Sequence, residues 1–238
     1  MPAAHPGPRR VTPTATTYRD SGGKTFEDYP RPSVAVDAAV LTVPPDADSL
    51  HVLLVRREGS HRKGAWALPG TFLHPGETLA DAVLRALREK AGVEGLAPRQ
   101  LHVFDAPGRD SRGWVVSVAH ADVVAWSRIA GAIQSQPGVR AVPVDAVPRL
   151  PFDHQQILDL AVADVRARYA EVPDPDRLLK PPFTLLTLRR LHEAVAGEPL
   201  YKDTFRRHMQ PLLKETGRHQ EGVVGKPALL YRHRPGRG

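Results

Sequence analysis

The sequence predicts a mixed α/β domain followed by a small second domain of two helices and two strands. Three observations support this prediction. Valine-rich segments of alternating polarity recur between residues 33 and 124, and a helix of clear apolar spacing lies among them. A stretch rich in proline and aspartate at 172–176 then interrupts the chain. Two further amphipathic helices follow it.

The first domain is predicted to span residues 33–171, after a mobile tail at residues 1–32 that is rich in Pro, Thr and Gly. A turn at Pro44–Asp46 follows its first strand, and its third extended segment bends at Pro69–Gly70. Its strands are expected at residues 33–43, 50–56, 66–73, 101–104 and 114–124.

Two helices are predicted in the same domain. The first covers residues 78–91, because apolar residues recur at helical spacing from Leu79 to Leu87. Thr78 and Asp81 resemble a capping pair at its start, and Gly92 is placed to end it. The second helix is expected at residues 153–168.

The second domain is predicted at residues 181–238, after a linker at 172–180. Helices at 184–196 and 201–210 are separated by a tight connection, which is the arrangement of a helix-turn-helix. Two strands, LLKET and PALLYR, then flank a glycine-rich tip. These strands predict a wing, so the whole domain is expected to be a winged helix-turn-helix.

Positive charge is concentrated in this second domain. From residue 177 to the end there are 13 Lys and Arg against 5 Asp and Glu, whereas the first 176 residues hold 20 and 21. A charge confined to one end indicates a module with an anionic partner. The alternative is an ordinary solvated basic face.

Composition excludes several classes of site. The chain has no cysteine, which rules out disulfides, thiolate zinc sites and cysteine nucleophiles and is consistent with a cytoplasmic protein. No apolar run approaches the roughly 20 residues that a membrane-spanning helix needs. The 11 histidines show no ligand-like pair on one helix face. We therefore expect no zinc site and no membrane partner. We also predict no other bound metal, no cofactor and no catalytic residue, the last because of the departures from a catalytic motif described below.

The basic module is predicted to bind double-stranded DNA. The second helix of a helix-turn-helix enters the major groove, and such modules pair as dimers on two half-sites, so a homodimer and a palindromic operator are expected. A helix-turn-helix is also used for protein contacts, and that alternative stays open. The DNA-contacting residues are predicted to be Lys202, Thr204, Arg206 and Arg207 on the helix, with Arg218 and Lys226 on the wing.

A motif of fixed spacing lies in the first domain. Residues 68–93 read LPGTFLHPGETLADAVLRALREKAGV and resemble the Nudix box, in which Gly, Glu and an Arg-Glu-aliphatic-any-Glu-Glu-any-Gly-aliphatic run follow at set intervals. Glu77, Arg85 and Glu89 match the pattern. Thr71 stands for the box glycine, Ala86 for the first glutamate after the arginine, and Lys90 for the last glutamate. The resemblance implies a Nudix-type α-β-α sandwich.

The departures affect the chemistry of the box. Positions 86, 89 and 90 share one helix face, and the resemblance implies that carboxylates there hold divalent metal ions in active members. Magnesium requires hard oxygen ligands. Alanine supplies none, and a lysine charge ~4 Å away repels each unit of cation charge by about 4 kcal/mol at an effective dielectric of about 20. We therefore predict that hydrolysis is absent, that Arg85 orders the loop around Glu77, and that Glu89 with Arg85 forms an i, i+4 surface pair.

The pocket could still hold a nucleotide. Arginine guanidinium groups suit phosphates, and a tryptophan offers a stacking face. The segments YPRPSVAVD, RDSR at 109–112 and LPFDHQQIL resemble the Nudix-related transcriptional regulators of NAD metabolism. That resemblance implies an effector such as ADP-ribose or a related NAD metabolite, and target genes of NAD synthesis or salvage. The effector-binding residues are expected to be Arg56, Trp66, Glu77, Arg85, Glu89, Arg109 and Arg112.

Three functions follow from these patterns. The first is a homodimeric DNA-binding regulator, a repressor, that a nucleotide releases from DNA. The second is a Nudix hydrolase of ADP-ribose or a similar diphosphate with an appended domain, which Ala86 and Lys90 argue against. The third is a protein-interaction module without a DNA role.

Overall fold

The computed structural model describes residues 18–221 and 227–235 of the 238. The chain divides into two compact units, residues 1–32 and residues 33–238. Within the first unit, Phe26–Asp28 form one 3-10 turn, which a reciprocal capping pair of Thr25 and Asp28 begins. None of the helices among the described residues has the combined length and apolar character that a membrane crossing requires.

A seven-stranded mixed sheet forms the centre of the second unit. Its middle strands, β1 and β6, run parallel over nine residue pairs, and the remaining pairings are antiparallel. The strand order is β3-β2-β1-β6-β5, with β4 also paired to β1 and β7 to β2. The strands are β1 (Ser33–Thr42), β2 (His51–Arg56), β3 (Trp66–Ala67), β4 (Gly70–Phe72), β5 (Arg99–Phe104), β6 (Val115–Val123) and β7 (Val139–Pro143).

Helices cover both faces of this sheet. They are α1 (Leu79–Ala91), α2 (Ala130–Ser135) and α3 (His154–Glu171). Alternate residues of β1 point to opposite faces. Val36 and Val40 therefore join the core that includes residues of α1, whereas Ala39 and Leu41 join the core that includes residues of α3. The predicted α-β-α sandwich is confirmed.

The ends of α1 follow the predicted chemistry. The Thr78 side chain accepts a hydrogen bond from the Asp81 amide at 3.1 Å, and the Asp81 carboxylate accepts one from the Thr78 amide at 3.1 Å. Gly92 ends the helix in the left-handed region with φ +62°, which favours glycine. The capping pair and the glycine end are both confirmed.

The C-terminal part is the predicted winged helix-turn-helix. It contains β8 (Phe183–Thr184), α4 (Leu185–Ala196), α5 (Lys202–Met209), β9 (Leu213–His219) and β10 (Leu229–His233), and the sheet order is β8-β10-β9. One core joins these elements, since Phe183, Leu188, Phe205, Met209, Leu213 and Tyr231 are all buried in a single cluster. The predicted DNA contact Lys226 lies outside the described residues.

Three short elements, α2, β7 and β8, were not predicted. The first has six residues and β8 has two, which is too little chain for apolar periodicity to be visible. The segment predicted as one extended stretch at 66–73 is two short strands, because β3 pairs with β2 while β4 pairs with β1.

The segment predicted as a linker is packed rather than free. Leu191 and Val195 of α4 join the same buried cluster as Val165 and Tyr169 of α3. Asp174 is fully buried between them and accepts the backbone N–H groups of Leu178 and Leu179 at 2.8 and 2.9 Å. His233 of β10 lies 3.0 Å from the Asp174 carboxylate, and His192 of α4 accepts the Asp174 N–H at 3.2 Å. Hydrogen bonds and apolar packing therefore both tie the winged helix to α3.

Candidate functional site

Arg85 closes the loop that precedes α1. Its guanidinium donates to both carboxylate oxygens of Glu77, at 2.7 and 2.9 Å, and to the Phe72 carbonyl at 2.9 Å. Glu77 also accepts the His74 backbone N–H at 3.0 Å. The hydrogen bond from Arg85 is the main reason that the pKa of Glu77 falls to about 2. Arg85 thus orders the loop around Glu77, as its place in the box predicted.

The three positions of the box face have different surroundings. Ala86 is fully buried. The Glu89 side chain is 53% exposed and lies 3.6 Å from Arg85, which is the i, i+4 pair predicted from their spacing. Lys90 is exposed as a residue, but its ammonium donates a hydrogen bond to the Gly70 carbonyl.

This donor set does not fit a divalent metal ion. Both oxygens of Glu77 are engaged by Arg85, and the Lys90 ammonium already occupies the Gly70 carbonyl. Throughout residues 18–221 and 227–235, no group of three or more His, Asp or Glu side chains is arranged to hold a metal. A magnesium ion needs several hard oxygen ligands around one point, and the box helix does not supply them.

A buried aspartate lies at the centre of the site. Asp37, on β1, accepts a hydrogen bond from the Ser117 hydroxyl at 2.6 Å and lies 3.2 Å from His154 Nε2. His154 Nδ1 accepts the Leu68 backbone N–H at 3.1 Å, which leaves Nε2 to donate to the Asp37 carboxylate. Burial raises the pKa of Asp37, but His154, Ser117 and Arg109 outweigh it and hold that pKa at about 2.

Gly70 is required by a close approach to this aspartate. A Cβ atom at that position would lie 2.0 Å from Asp37 Oδ1 and 2.7 Å from the Val36 carbonyl oxygen. Because both neighbours belong to the central strand, neither can move away without disturbing the sheet.

The two arginines of the 109–112 loop differ in how they are used. The Arg109 side chain is only 5% exposed and is held by Asp153, to which its Nε donates at 2.6 Å. Arg112 is paired with Asp110 but remains 40% exposed, and its guanidinium lies over the rings of Phe72 and Phe152 at 5.3 and 5.5 Å. The Arg109 guanidinium is therefore buried against carboxylates, whereas the Arg112 guanidinium is partly accessible to solvent.

The remaining predicted pocket residues lie near β2 and β3. Arg56 is exposed at the end of β2. Trp66 is half-buried against the core, and the Arg140 guanidinium lies 3.8 Å from its ring centroid. One face of that ring is thus already covered by a cation.

Two adjacent cavities lie beside α1, with volumes of about 210 and 500 Å³. They have four residues in common, which we call the shared wall: Asp37, Arg57, Gly70 and Lys90. The smaller cavity also contains Arg112 and Phe152, and the larger one contains Arg56 and Glu89. The structure therefore gathers cations from three separate segments around one depression: the end of β2, helix α1 and the 109–112 loop.

Sequence reasoning missed several residues of this site. Asp37, Asp153 and His154 were not proposed, although an aspartate within a valine-rich strand is a visible signal, because a buried charge needs partners. Phe152 has φ +56°, a left-handed conformation that a bulky residue rarely adopts. Nothing in the sequence marks it.

The second candidate surface is the outer face of α5. Phe205 and Met209 are buried, whereas the predicted contact residues Lys202, Thr204, Arg206 and Arg207 are all exposed. An open groove of about 1390 Å³ runs beside it, lined by cations that include Lys214 and Arg234 as well as by Asp203 and Glu215. Arg218 is exposed on β9.

Family models match both parts of the chain. A NUDIX domain model matches residues 34–161, and an NrtR DNA-binding winged helix domain model matches residues 176–233. The two matches together cover the α-β-α sandwich and the winged helix-turn-helix.

Three relatives are similar to this chain. The ADPR responsive transcriptional repressor NtrR of Acinetobacter baylyi is 33% identical over 212 residues, covering 86% of this chain and 83% of the relative. The ADP-ribose pyrophosphatase of Methanocaldococcus jannaschii is 33% identical over 136 residues, covering 57% and 76%.

The third relative is known from crystal structures. Shewanella oneidensis NrtR complexed with a 27mer DNA superimposes with a TM-score of 0.70 at 33% identity, covering 84% of this chain and 93% of that one. The NUDIX domain of the same protein complexed with ADP ribose superimposes with a TM-score of 0.51 at 30% identity, covering 60% and 94%.

Proposed function

This chain belongs to the NrtR family of Nudix-related transcriptional regulators, and from that premise we propose that it is a DNA-binding repressor that responds to ADP-ribose or a related NAD metabolite. The proposed division is a sensing domain at residues 33–171 and a reading domain at 181–238, joined by 172–180 and preceded by the tail at 1–32. The matched relatives support both halves of this proposal.

The single observation that carries DNA binding is the exposed row of cations on α5. Lys202, Arg206 and Arg207 point away from the core on the second helix of a helix-turn-helix. Lysine and arginine supply affinity for phosphates, while an arginine that binds a guanine edge supplies sequence choice. The proposed contact set is completed by Thr204, Arg218 and Lys226.

The effector is proposed to bind in the depression beside α1. Arg56, Arg112 and Glu89 border its cavities, and Arg85 with Glu77 shapes the adjoining loop. Trp66 is proposed to contribute its uncovered face. The buried Arg109 acts through Asp153 and Asp37 by fixing the wall of the pocket, rather than by touching phosphate.

The proposed assembly is a homodimer on a palindromic operator of NAD biosynthesis or salvage genes, acting in the cytoplasm. Two half-sites one helical turn apart need two reading domains at a fixed separation. The effector would release DNA by binding better to the dimer geometry that does not match this spacing, and only its differential affinity can shift the population.

A DNA-binding titration tests this function. Full-length protein is titrated against labelled DNA from upstream of its own gene neighbourhood, with ADP-ribose, with NAD and with neither. The proposal expects salt-dependent binding that one of the two nucleotides weakens. Two results contradict the proposal: the protein binds no upstream DNA, or it binds that DNA as tightly in the presence of each nucleotide as in their absence.

The similarity to an ADP-ribose pyrophosphatase supports a second candidate, hydrolysis of ADP-ribose. Glu77, Arg85 and Glu89 of the box are present, but the engaged oxygens of Glu77 and the ammonium of Lys90 count against it. A turnover assay with ADP-ribose and Mg²⁺ or Mn²⁺ separates the two functions. Robust hydrolysis that Glu89→Gln abolishes would establish the enzyme.

A further inference from the structure

Arg57 and Lys90 lie on the shared wall without a carboxylate partner in the part of the chain that the structure describes. Arg57 is half-buried, donates through Nε to the His61 carbonyl at 3.3 Å and lies over the Phe152 ring at 5.1 Å. Lys90 donates to the Gly70 carbonyl. By contrast, Arg109 and Arg112, which line the smaller cavity, are each paired with an aspartate.

The third residue of the wall does not supply the missing negative charge. The Asp37 carboxylate is buried and shared among Ser117, His154 and, at 3.6 Å, Arg109. Glu89 borders only the larger cavity and leans toward Arg85. Among the described residues, the wall thus presents two cations that form no salt bridge with a carboxylate.

We propose that Lys90 and Arg57 take the place of the divalent cation in this pocket, so that the diphosphate of a nucleotide binds there without metal. This inference rests on the proposed function and adds the mode of ligand recognition. Lys90 stands where the box has a metal-binding glutamate, so its ammonium supplies a positive charge at the place where the glutamate would bind a metal ion. A guanidinium and an ammonium together match a diphosphate, because one binds two oxygens in a plane and the other binds as a point charge.

The electrostatics of the wall agree with an anionic ligand. Desolvation lowers the pKa of Lys90, and the positive charge of Arg57 lowers it further. Burial likewise lowers the pKa of Arg57, with a further contribution from Arg112. Both effects disfavour the charged forms of these side chains, and a bound diphosphate would relieve the repulsion between the cations.

Calorimetric titration of the full chain tests this mode of binding. The two probes are ADP-ribose and inorganic pyrophosphate, each titrated once in EDTA and once in Mg²⁺. The variants are Lys90→Gln and Arg57→Ala, and the matched control is Arg88→Ala, which removes an exposed charge from the same helix but borders neither cavity. Thermal unfolding verifies that each variant is folded.

The expected result is an affinity for ADP-ribose that is the same in EDTA and in Mg²⁺. Lys90→Gln and Arg57→Ala should each weaken it by about 10- to 100-fold, the range of a lost hydrogen bond to a charged group, while Arg88→Ala should leave it unchanged. The wild-type comparison needs no variant, so a misfolded substitution would not prevent the test.

Two results would overturn the inference: a wild-type protein that needs Mg²⁺ to bind either probe, or Lys90→Gln binding as tightly as Arg88→Ala. If ADP-ribose binds but Lys90→Gln has no effect, the inference fails while the proposed function stands. If only pyrophosphate binds, in a Lys90-dependent and metal-independent manner, the inference stands and the proposed effector is wrong. If neither probe binds under any condition, the inference fails and ADP-ribose is not the effector.

Discussion

Helices α1 and α5 are both amphipathic and basic, yet their cations have opposite surroundings. On α1, Arg85 donates to a carboxylate and to a carbonyl of its own domain. On α5, the only hydrogen bond of the Arg206 side chain among the described residues goes to Gln210, at 2.9 Å. The charge of Arg85 is thus satisfied within its own domain, whereas the charge of Arg206 stays available to a polyanion. The sign of the charge alone would not have distinguished the two helices.

The largest effect on stability is expected at the junction between the α-β-α sandwich, which contains α1, and the winged helix, which contains α5. Asp174→Ala leaves the buried N–H groups of Leu178 and Leu179 and the ring of His233 without their acceptor, and should lower the free energy of unfolding by about 3–5 kcal/mol. All three tryptophans, at 66, 114 and 126, lie in the sensing domain. Urea unfolding followed by fluorescence therefore reports on that domain, while circular dichroism reports on the whole chain.

The wild-type transitions by the two methods should coincide, because α3 and α4 share one core. Asp174→Asn retains an acceptor and is the matched control, with a smaller expected loss. Two separate transitions in the wild type would show that the domains unfold independently and that the junction matters less than its contacts indicate.

The second effect concerns α5 alone. Arg206→Ala combined with Arg207→Ala should weaken DNA binding by about 100-fold and reduce the salt dependence by about one counterion for each of the two arginines that contacts a phosphate. Fluorescence anisotropy at several salt concentrations measures both. Unfolding should be unaffected, since the two side chains are exposed.

The matched control for α5 removes the same charge from the sensing domain, as Arg62→Ala plus Arg88→Ala. If this control weakens DNA binding as much as the α5 variant does, net charge rather than the helix would be responsible, and the contrast between α1 and α5 would be lost.

The third effect is a pH dependence of the free energy of unfolding, which we expect to arise from Asp37 in the sensing domain. The folded-state pKa of Asp37 is about 2, against an ordinary value of 3.8. A depressed carboxyl pKa stabilises the folded state fully above pH 3.8, and that contribution, about 2 kcal/mol, is lost as the pH falls toward 2. Unfolding free energies of the wild type and Asp37→Asn between pH 6 and 2 measure it, and the curve of the variant should be flatter by that amount.

The smallest effect is expected at Trp66. Arg140→Ala removes the cation that covers one face of the ring and should cost about 1 kcal/mol of stability. Because the Arg140 Nε atom is buried without a hydrogen-bond partner among the described residues, part of that cost is offset. Urea unfolding measures the change, and a shift of the tryptophan emission should accompany it. A variant with unchanged emission would show that Arg140 does not cover Trp66 in solution.

Local signals in the sequence were sufficient for α1 and for the winged helix. Thr78 and Asp81 cap the start of α1 and Gly92 caps its end. Each cap depends on residues close in sequence, so spacing alone predicts it. The spacing on the helix likewise predicted the pairing of Arg85 with Glu89, and the resemblance to the box predicted the pairing of Arg85 with Glu77.

Long-range pairings explain what the sequence did not predict. Arg109 and Asp153 are 44 positions apart, and Ser117 and Asp37 are 80 apart, so only the folded sheet shows that they meet. For the same reason an arginine in a polar loop was interpreted as a phosphate ligand, although the structure buries it against two carboxylates. Only the folded structure shows that Arg57 lacks a carboxylate partner among the described residues.

The packed junction has a mechanical consequence. Because Asp174 is hydrogen-bonded and α3 and α4 share one core, residues 172–180 do not form a flexible hinge between the pocket and α5. Helix α3 has 18 residues and is about 27 Å long, and it connects the sandwich to the winged helix as one rigid element. A tilt of a few degrees at one end of this helix would displace its other end by ångströms. In the proposed homodimer, such a displacement would be enough to separate the two copies of α5 from successive major grooves of a duplex.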